Sequence, residues 1–104
     1  MVDQDIVQKM TRRIVERFAP QKIIAFGSWA RGETGPDSDI DFLVIMPYTG
    51  SKRDWQVAIR RELKDFQVPK DIIVASNEEI EQKKTINGYI YKTAIAEGVV
   101  LYER

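Results

Sequence analysis

The stretch Asp39-Ile-Asp-Phe-Leu-Val-Ile-Met46 limits what this chain can fold into more than any other. Phe42 to Met46 is apolar without a break. A strand with one wet face alternates polar and apolar residues, whereas an unbroken apolar body suits a strand covered on both faces. Such a strand sits inside a sheet that helices cover from above and below. Two similar runs flank it, Lys22-Ile-Ile-Ala-Phe26 and Lys70-Asp-Ile-Ile-Val-Ala75, the second introduced by Pro69. The fold class is therefore α/β, a small mixed β-sheet with flanking helices.

The remaining segments read as those helices and one last strand. Over residues 3–18, Ile6, Met10, Ile14 and Phe18 recur at helical spacing while Lys9, Arg12, Arg13 and Glu16 face outward, and Pro20 marks the end. Over residues 53–66, Trp55, Ile59, Leu63 and Phe66 form the apolar stripe, opposite Arg60, Arg61 and Lys64. Ser76 and Glu79 stand at capping-box spacing and open a helix of roughly two turns. A final helix covers about residues 86–97. Gly98 serves as its left-handed stop, and Val99-Val-Leu-Tyr102 is a short strand. The order is αβ(loop)βαβααβ, with strand direction and strand order left open. With 104 residues, the expectation is a single domain over 1–104, with one core and no room for a second substrate-binding domain.

Composition narrows the chemistry. The chain has 16 basic and 16 acidic residues and no net charge. It lacks the broad positive field of non-specific nucleic-acid binders, so no direct nucleic-acid partner is expected. The absence of cysteine excludes disulfides, thiolate zinc sites and cysteine nucleophiles. The absence of histidine removes the commonest general base and the commonest transition-metal ligand. What remains is carboxylates, hydroxyls, Lys, Arg, backbone N–H groups and a hard cation such as Mg²⁺, Mn²⁺ or Ca²⁺. No apolar run approaches the ~20 residues of a membrane span and the N-terminus shows no signal core, so the expected location is the cytoplasm.

Three features can carry that chemistry. Gly27-Ser-Trp-Ala-Arg-Gly32 has the glycine spacing of a Walker A loop, but Glu33 stands where that motif needs lysine and would repel phosphate. A strand ending in Gly27-Ser28 can still bind phosphate through successive N–H groups and the hydroxyl, although a Gly-Ser pair after a strand is most often only a turn. Asp39 and Asp41 point to one face of their strand, roughly 7 Å apart at the Cα atoms, a separation that suits joint metal binding. A bare Asp-x-Asp is usually just an acidic strand entry. Asp41, however, adjoins a buried apolar run, where an uncompensated carboxylate is costly. Asp71 opens the third strand in the same manner. If that strand neighbours the second, three mutually repelling acids converge at one sheet edge.

Gly27-Ser28, then Asp39-x-Asp41, then a strand acid at Asp71 resembles the signature of the DNA polymerase β-like nucleotidyltransferases. The fuller string Gly-Ser-Trp-Ala-Arg-Gly…Ser-Asp-Ile-Asp-Phe-Leu-Val and the closing Glu-Gly-Val-Val-Leu-Tyr-Glu resemble the minimal nucleotidyltransferase branch, and the likeness covers nearly the whole chain. The resemblance implies roles. Gly27 and Ser28 would hold the triphosphate of ATP. Asp39 and Asp41 would bind a pair of Mg²⁺ ions, and Asp71 would complete the metal site and help deprotonate the acceptor hydroxyl. Arg31 would contact phosphate, or instead form a salt bridge within the loop. Ser38 would satisfy local backbone N–H groups. The resemblance also implies an antitoxin that adenylylates a tyrosine of a HEPN-domain ribonuclease toxin. Trp29, Tyr48, Tyr89 and Tyr91 are candidate contacts for such a partner, although each is more often core than interface. Two other readings stay open: a non-catalytic antitoxin that masks its partner, and a small-molecule transferase of the aminoglycoside-modifying kind.

Overall fold

A computed structural model describes residues 3–33 and 39–104. Its elements follow the expected order: α1 (Gln4–Phe18), β1 (Lys22–Phe26), β2 (Ile40–Ile45), α2 (Lys52–Glu62), β3 (Lys70–Ala75), α3 (Asn77–Lys83), α4 (Ile90–Glu97) and β4 (Val99–Glu103). The four strands form one sheet in the order β3-β2-β1-β4. β1 runs antiparallel to both β2 and β4, while β2 and β3 are parallel, so the sheet is mixed. Parallel neighbours need a crossover, and α2 supplies it.

The unbroken apolar run of β2 now has its cause. Ile40, Phe42 and Val44 face Val7, Met10 and Ile14 of α1 and Ile59 of α2. Leu43 and Ile45 face Ile80 of α3 and Tyr91 and Ala94 of α4. Each fully buried side chain of this size stabilises the fold by about 1.5–3 kcal/mol relative to exposure. A strand with only one apolar face would leave one pair of helices without a floor.

The ends of three helices differ from the sequence expectation. α1 is capped by Asp3, whose Oδ1 accepts the Ile6 N–H at 2.9 Å, so it begins at Gln4 rather than 3; it closes at Phe18, with Ala19 at φ 47° as its C-cap. α2 stops at Glu62 rather than 66. Bonds closed three residues back, Leu63 N–H to Arg60 and Phe66 N–H to Leu63, continue it as a tight turn. That turn keeps Leu63 and Phe66 on one side, which is why the apolar spacing outruns the helix. α4 begins at Ile90 rather than 86.

Gly98 ends α4, but not in the left-handed conformation expected: its φ is −77° and its ψ 161°. Glycine is needed there for space. A Cβ would collide with the Ala94 carbonyl oxygen and Ile24 Cγ2, where α4 turns into β4 against β1.

The finishing ends of β2 and β3 are tied by one carboxylate. Glu79 completes the expected capping box with Ser76. It also accepts from Tyr48 Oη at 2.6 Å and from Lys52 Nζ, which in turn lies 2.8 Å from Tyr91 Oη. α2, α3 and α4 are joined there. Burial pushes the Glu79 carboxyl up, but the donors Lys52, Tyr48 and the Ser76 N–H outweigh it and hold the group at about 2, below the ordinary value of 4.5. Because the folded value is depressed, this contribution is present above pH 4.5 and fades as pH falls through about 2. Discounted for partial exposure, Glu79→Gln should cost about 1–2 kcal/mol at neutral pH. In urea titrations, the gap to wild type should close towards pH 2; a gap that does not change with pH would assign the loss to packing instead.

Candidate active site

Three carboxylates meet at the starting ends of β2 and β3. The parallel register sets Asp41 beside Asp71, and on the other flank β1 sets Phe26 beside Asp41. Asp39 precedes β2 by one residue. One oxygen from each of Asp39, Asp41 and Asp71 lies within 4.8 Å of the others. Asp41 shares its face with Leu43 and Ile45, since side chains alternate along a strand. Asp39 and Asp41 are half-buried, and Asp71 is exposed.

The loop after β1 is built against these acids. Gly27 has φ +85°, a conformation that L side chains rarely adopt, and a Cβ there would land on Asp41 Oδ2. Only glycine lets the end of β1 approach that carboxylate so closely. The Ser28 hydroxyl donates to Asp39 Oδ1 at 2.9 Å, and the Asp39 N–H points back to Ser28 Oγ at 3.3 Å. Trp29 N–H bonds the Asp39 carbonyl, and Arg31 N–H bonds that of Gly27, which closes a single helical turn. Ser28 therefore orients an acid.

Electrostatics mark Asp41 as the strained member. Burial first, then the Asp39 and Asp71 charges, push its carboxyl from 3.8 up to about 6. Asp71 is relieved differently: Arg60 Nη2 lies 2.9 Å from its Oδ1 and 2.8 Å from the Lys70 carbonyl oxygen. A hard divalent cation fits this donor set. All three ligands are carboxylate oxygens, the chain has no histidine or cysteine to favour a softer metal, and a cation would compensate the half-buried Asp41.

Asp39, Asp41, Asp71, Gly27 and Ser28, all singled out from sequence, thus come together. Arg31 points to Glu33, with Nε 3.1 Å from Oε1, the salt bridge within the loop named as its alternative role. Ser38 lies outside the described residues. Arg60 was missed, having read only as part of a polar helix face. Of the aromatic residues considered as partner contacts, Tyr89 is exposed, Tyr91 is buried, and Trp29 and Tyr48 pack against the core.

Known proteins resemble this chain in sequence and in fold. The nucleotidyltransferase domain family matches residues 7–101. "Putative protein adenylyltransferase MJ0604" of Methanocaldococcus jannaschii is 38% identical, over 79% of this chain and 78% of its own length. The crystal structure of a putative nucleotidyltransferase from Sulfolobus solfataricus superposes with a TM-score of 0.66 at 20% identity, covering 96% of this chain and 79% of that one. A mutant of the toxin–antitoxin MntA-HpeT gives 0.63 at 13% identity, covering 99% and 75%. A toxin–antitoxin with AMP-PNP gives 0.55 at 17% identity, again covering 99% and 75%. At these identities the structural likenesses speak for the fold, while the domain match and the archaeal relative speak for descent: the chain belongs to the nucleotidyltransferase domain family.

Proposed function

We propose that this protein transfers AMP from ATP onto a tyrosine of a HEPN-domain toxin, acting as its antitoxin in the cytoplasm. The observation that carries the reading is the convergence of Asp39, Asp41 and Asp71 beside the Gly27–Ser28 turn. The relative named as a protein adenylyltransferase and the fold shared with toxin–antitoxin proteins support the acceptor class. No helix among the described residues is long and apolar enough to cross a membrane.

Asp39, Asp41 and Asp71 would hold a pair of Mg²⁺ ions. When bound, Mg²⁺ neutralises charge on the triphosphate. The chain's own residues do the rest. The Ser28 and Ala30 N–H groups, those after Gly27 that no bond within the turn takes among the described residues, hold the phosphates, and Ser28 keeps Asp39 oriented. Asp71, the exposed acid, meets the acceptor and takes the proton of its hydroxyl. The acceptor oxygen bonds to the α-phosphorus, the α–β bridging bond breaks, and pyrophosphate leaves.

Co-expressing the chain with a HEPN toxin and weighing the toxin intact tests this. A gain of about 329 Da per transferred AMP is expected, and it should vanish with Asp39→Ala, which should also fail to protect cells. A toxin that is neutralised yet unmodified overturns the transferase reading in favour of masking by binding.

A further inference from the structure

Beside Asp71, the outer edge of β3 forms a cleft with α2. It has a volume of about 300 Å³ and is lined by Arg53, Gln56, Val57, Arg60, Asp71 and Ile72. Among the described residues β3 is the last strand on its side of the sheet, so its outward backbone groups have no strand partner there. Two of them are met by α2 side chains. The Val74 N–H donates to Gln56 Oε1 at 3.0 Å, and the Lys70 carbonyl accepts from Arg60 at 2.8 Å. By the two-residue period of a strand, Ile72 presents its own N–H and carbonyl along the same edge, between those two covered points. Open edge groups of this kind are what an extended peptide pairs with.

The wall of the cleft is cationic. Arg53 and Arg60 are two helical turns apart on α2, with the exposed Val57 between them. Arg60 uses only Nη2 for Asp71 and Lys70, which among the described residues leaves Nη1 and Nε for an incoming group. Arg53 is exposed and has no ion-pair partner among the described residues. Guanidinium forks facing a peptide-sized groove select carboxylates.

We propose that this cleft is the docking site for the acceptor: an extended, acidic protein segment lying along β3, with its carboxylates on Arg53 and Arg60 and its hydroxyl at Asp71. The proposal rests on the reading of the three acids as a protein-modifying transferase site. It adds which protein segments that site accepts.

Fluorescence anisotropy with a short labelled peptide, one tyrosine flanked by glutamates, tests the cleft directly. The peptide should bind, its lysine-flanked isomer should not, and added salt should weaken the complex. Arg53→Glu should weaken binding at least about tenfold, whereas Arg12→Glu, the same charge change on an exposed part of α1, should leave it unchanged. Methylating the peptide backbone nitrogens beside the tyrosine should also weaken it. Equal binding of both isomers, or an Arg53→Glu variant that binds like wild type, overturns the proposal. Arg53-dependent binding of a single-stranded RNA in place of the peptide does so too. Calorimetry with Mg²⁺–ATP on the same chain reports on the acids separately. A protein that binds ATP but not the acidic peptide loses the cleft and keeps the transferase site.

Discussion

Replacing Asp41 with Asn is expected to abolish nucleotidyl transfer while making the metal-free protein more stable. The loss should be at least about 10³-fold, or about 4 kcal/mol of barrier, because Asp41 is the central one of three carboxylates and the one that its neighbours most oppose. The gain has the same origin. The folded protein lifts the Asp41 carboxyl from 3.8 to about 6, so between those values it holds a proton that the unfolded chain has released. Stability therefore falls as pH rises from about 4 to 6 and stays lowered above that. Discounted for partial exposure, the penalty is about 1 kcal/mol, and the neutral amide escapes it. In EDTA, Asp41→Asn should melt above wild type at pH 8 and level with it at pH 4. Mg²⁺ should raise the wild-type melting temperature and leave the variant's unchanged. A variant that melts below wild type at pH 8, or that keeps transfer, removes Asp41 from the role assigned to it.

The features visible in the sequence are those written locally. The run from Phe42 to Met46 announced a strand covered on both faces, and the structure sets it inside the sheet with helices on each side. Gly27-Ser28 and Asp39-x-Asp41 were readable because each is a short motif with a physical meaning of its own. Asp71 was readable only conditionally, since its value depended on which strand lay beside β2. The parallel β2–β3 register met that condition.

What stayed hidden depends on contacts between distant segments. Nothing in α2 marks Arg60 as the partner of Asp71, because eleven residues and a change of element separate them. Ser28 reads as a phosphate donor, as its hydroxyl chemistry allows, and nothing local ties it to Asp39 as well. That Asp39 takes the hydroxyl follows from how the turn folds back on β2. Tyr48 and Tyr91 could be read as core or as contacts, and only the structure shows Lys52 and Glu79 gathering them into one hydrogen-bonded cluster. Side-chain pairing across elements follows from topology, and a single sequence leaves topology open.

Gly27→Ala should be strongly damaging, and for two separable reasons. At φ +85° an alanine carries a backbone cost of about 1–2 kcal/mol. Its Cβ would also meet Asp41 Oδ2 and come within 3.1 Å of Asp41 Cγ, so the carboxylate must move. Displacing a catalytic group by as little as about 1 Å can cost roughly 10²-fold in rate. The expected outcome is a loss of about 2–4 kcal/mol in urea denaturation together with a drop in transfer of at least about 10²-fold. Gly50→Ala separates the two causes, because Gly50 has φ +75° but no atom within 4 Å of an added Cβ. That variant should show the backbone cost alone and full transfer. Combining Gly27→Ala with Asp41→Ala removes the oxygen that the new methyl strikes. The double variant should then be more stable than the sum of the single changes predicts, by about 1 kcal/mol or more. Strict additivity would mean that Gly27 is kept for its backbone conformation and not for the approach of Asp41.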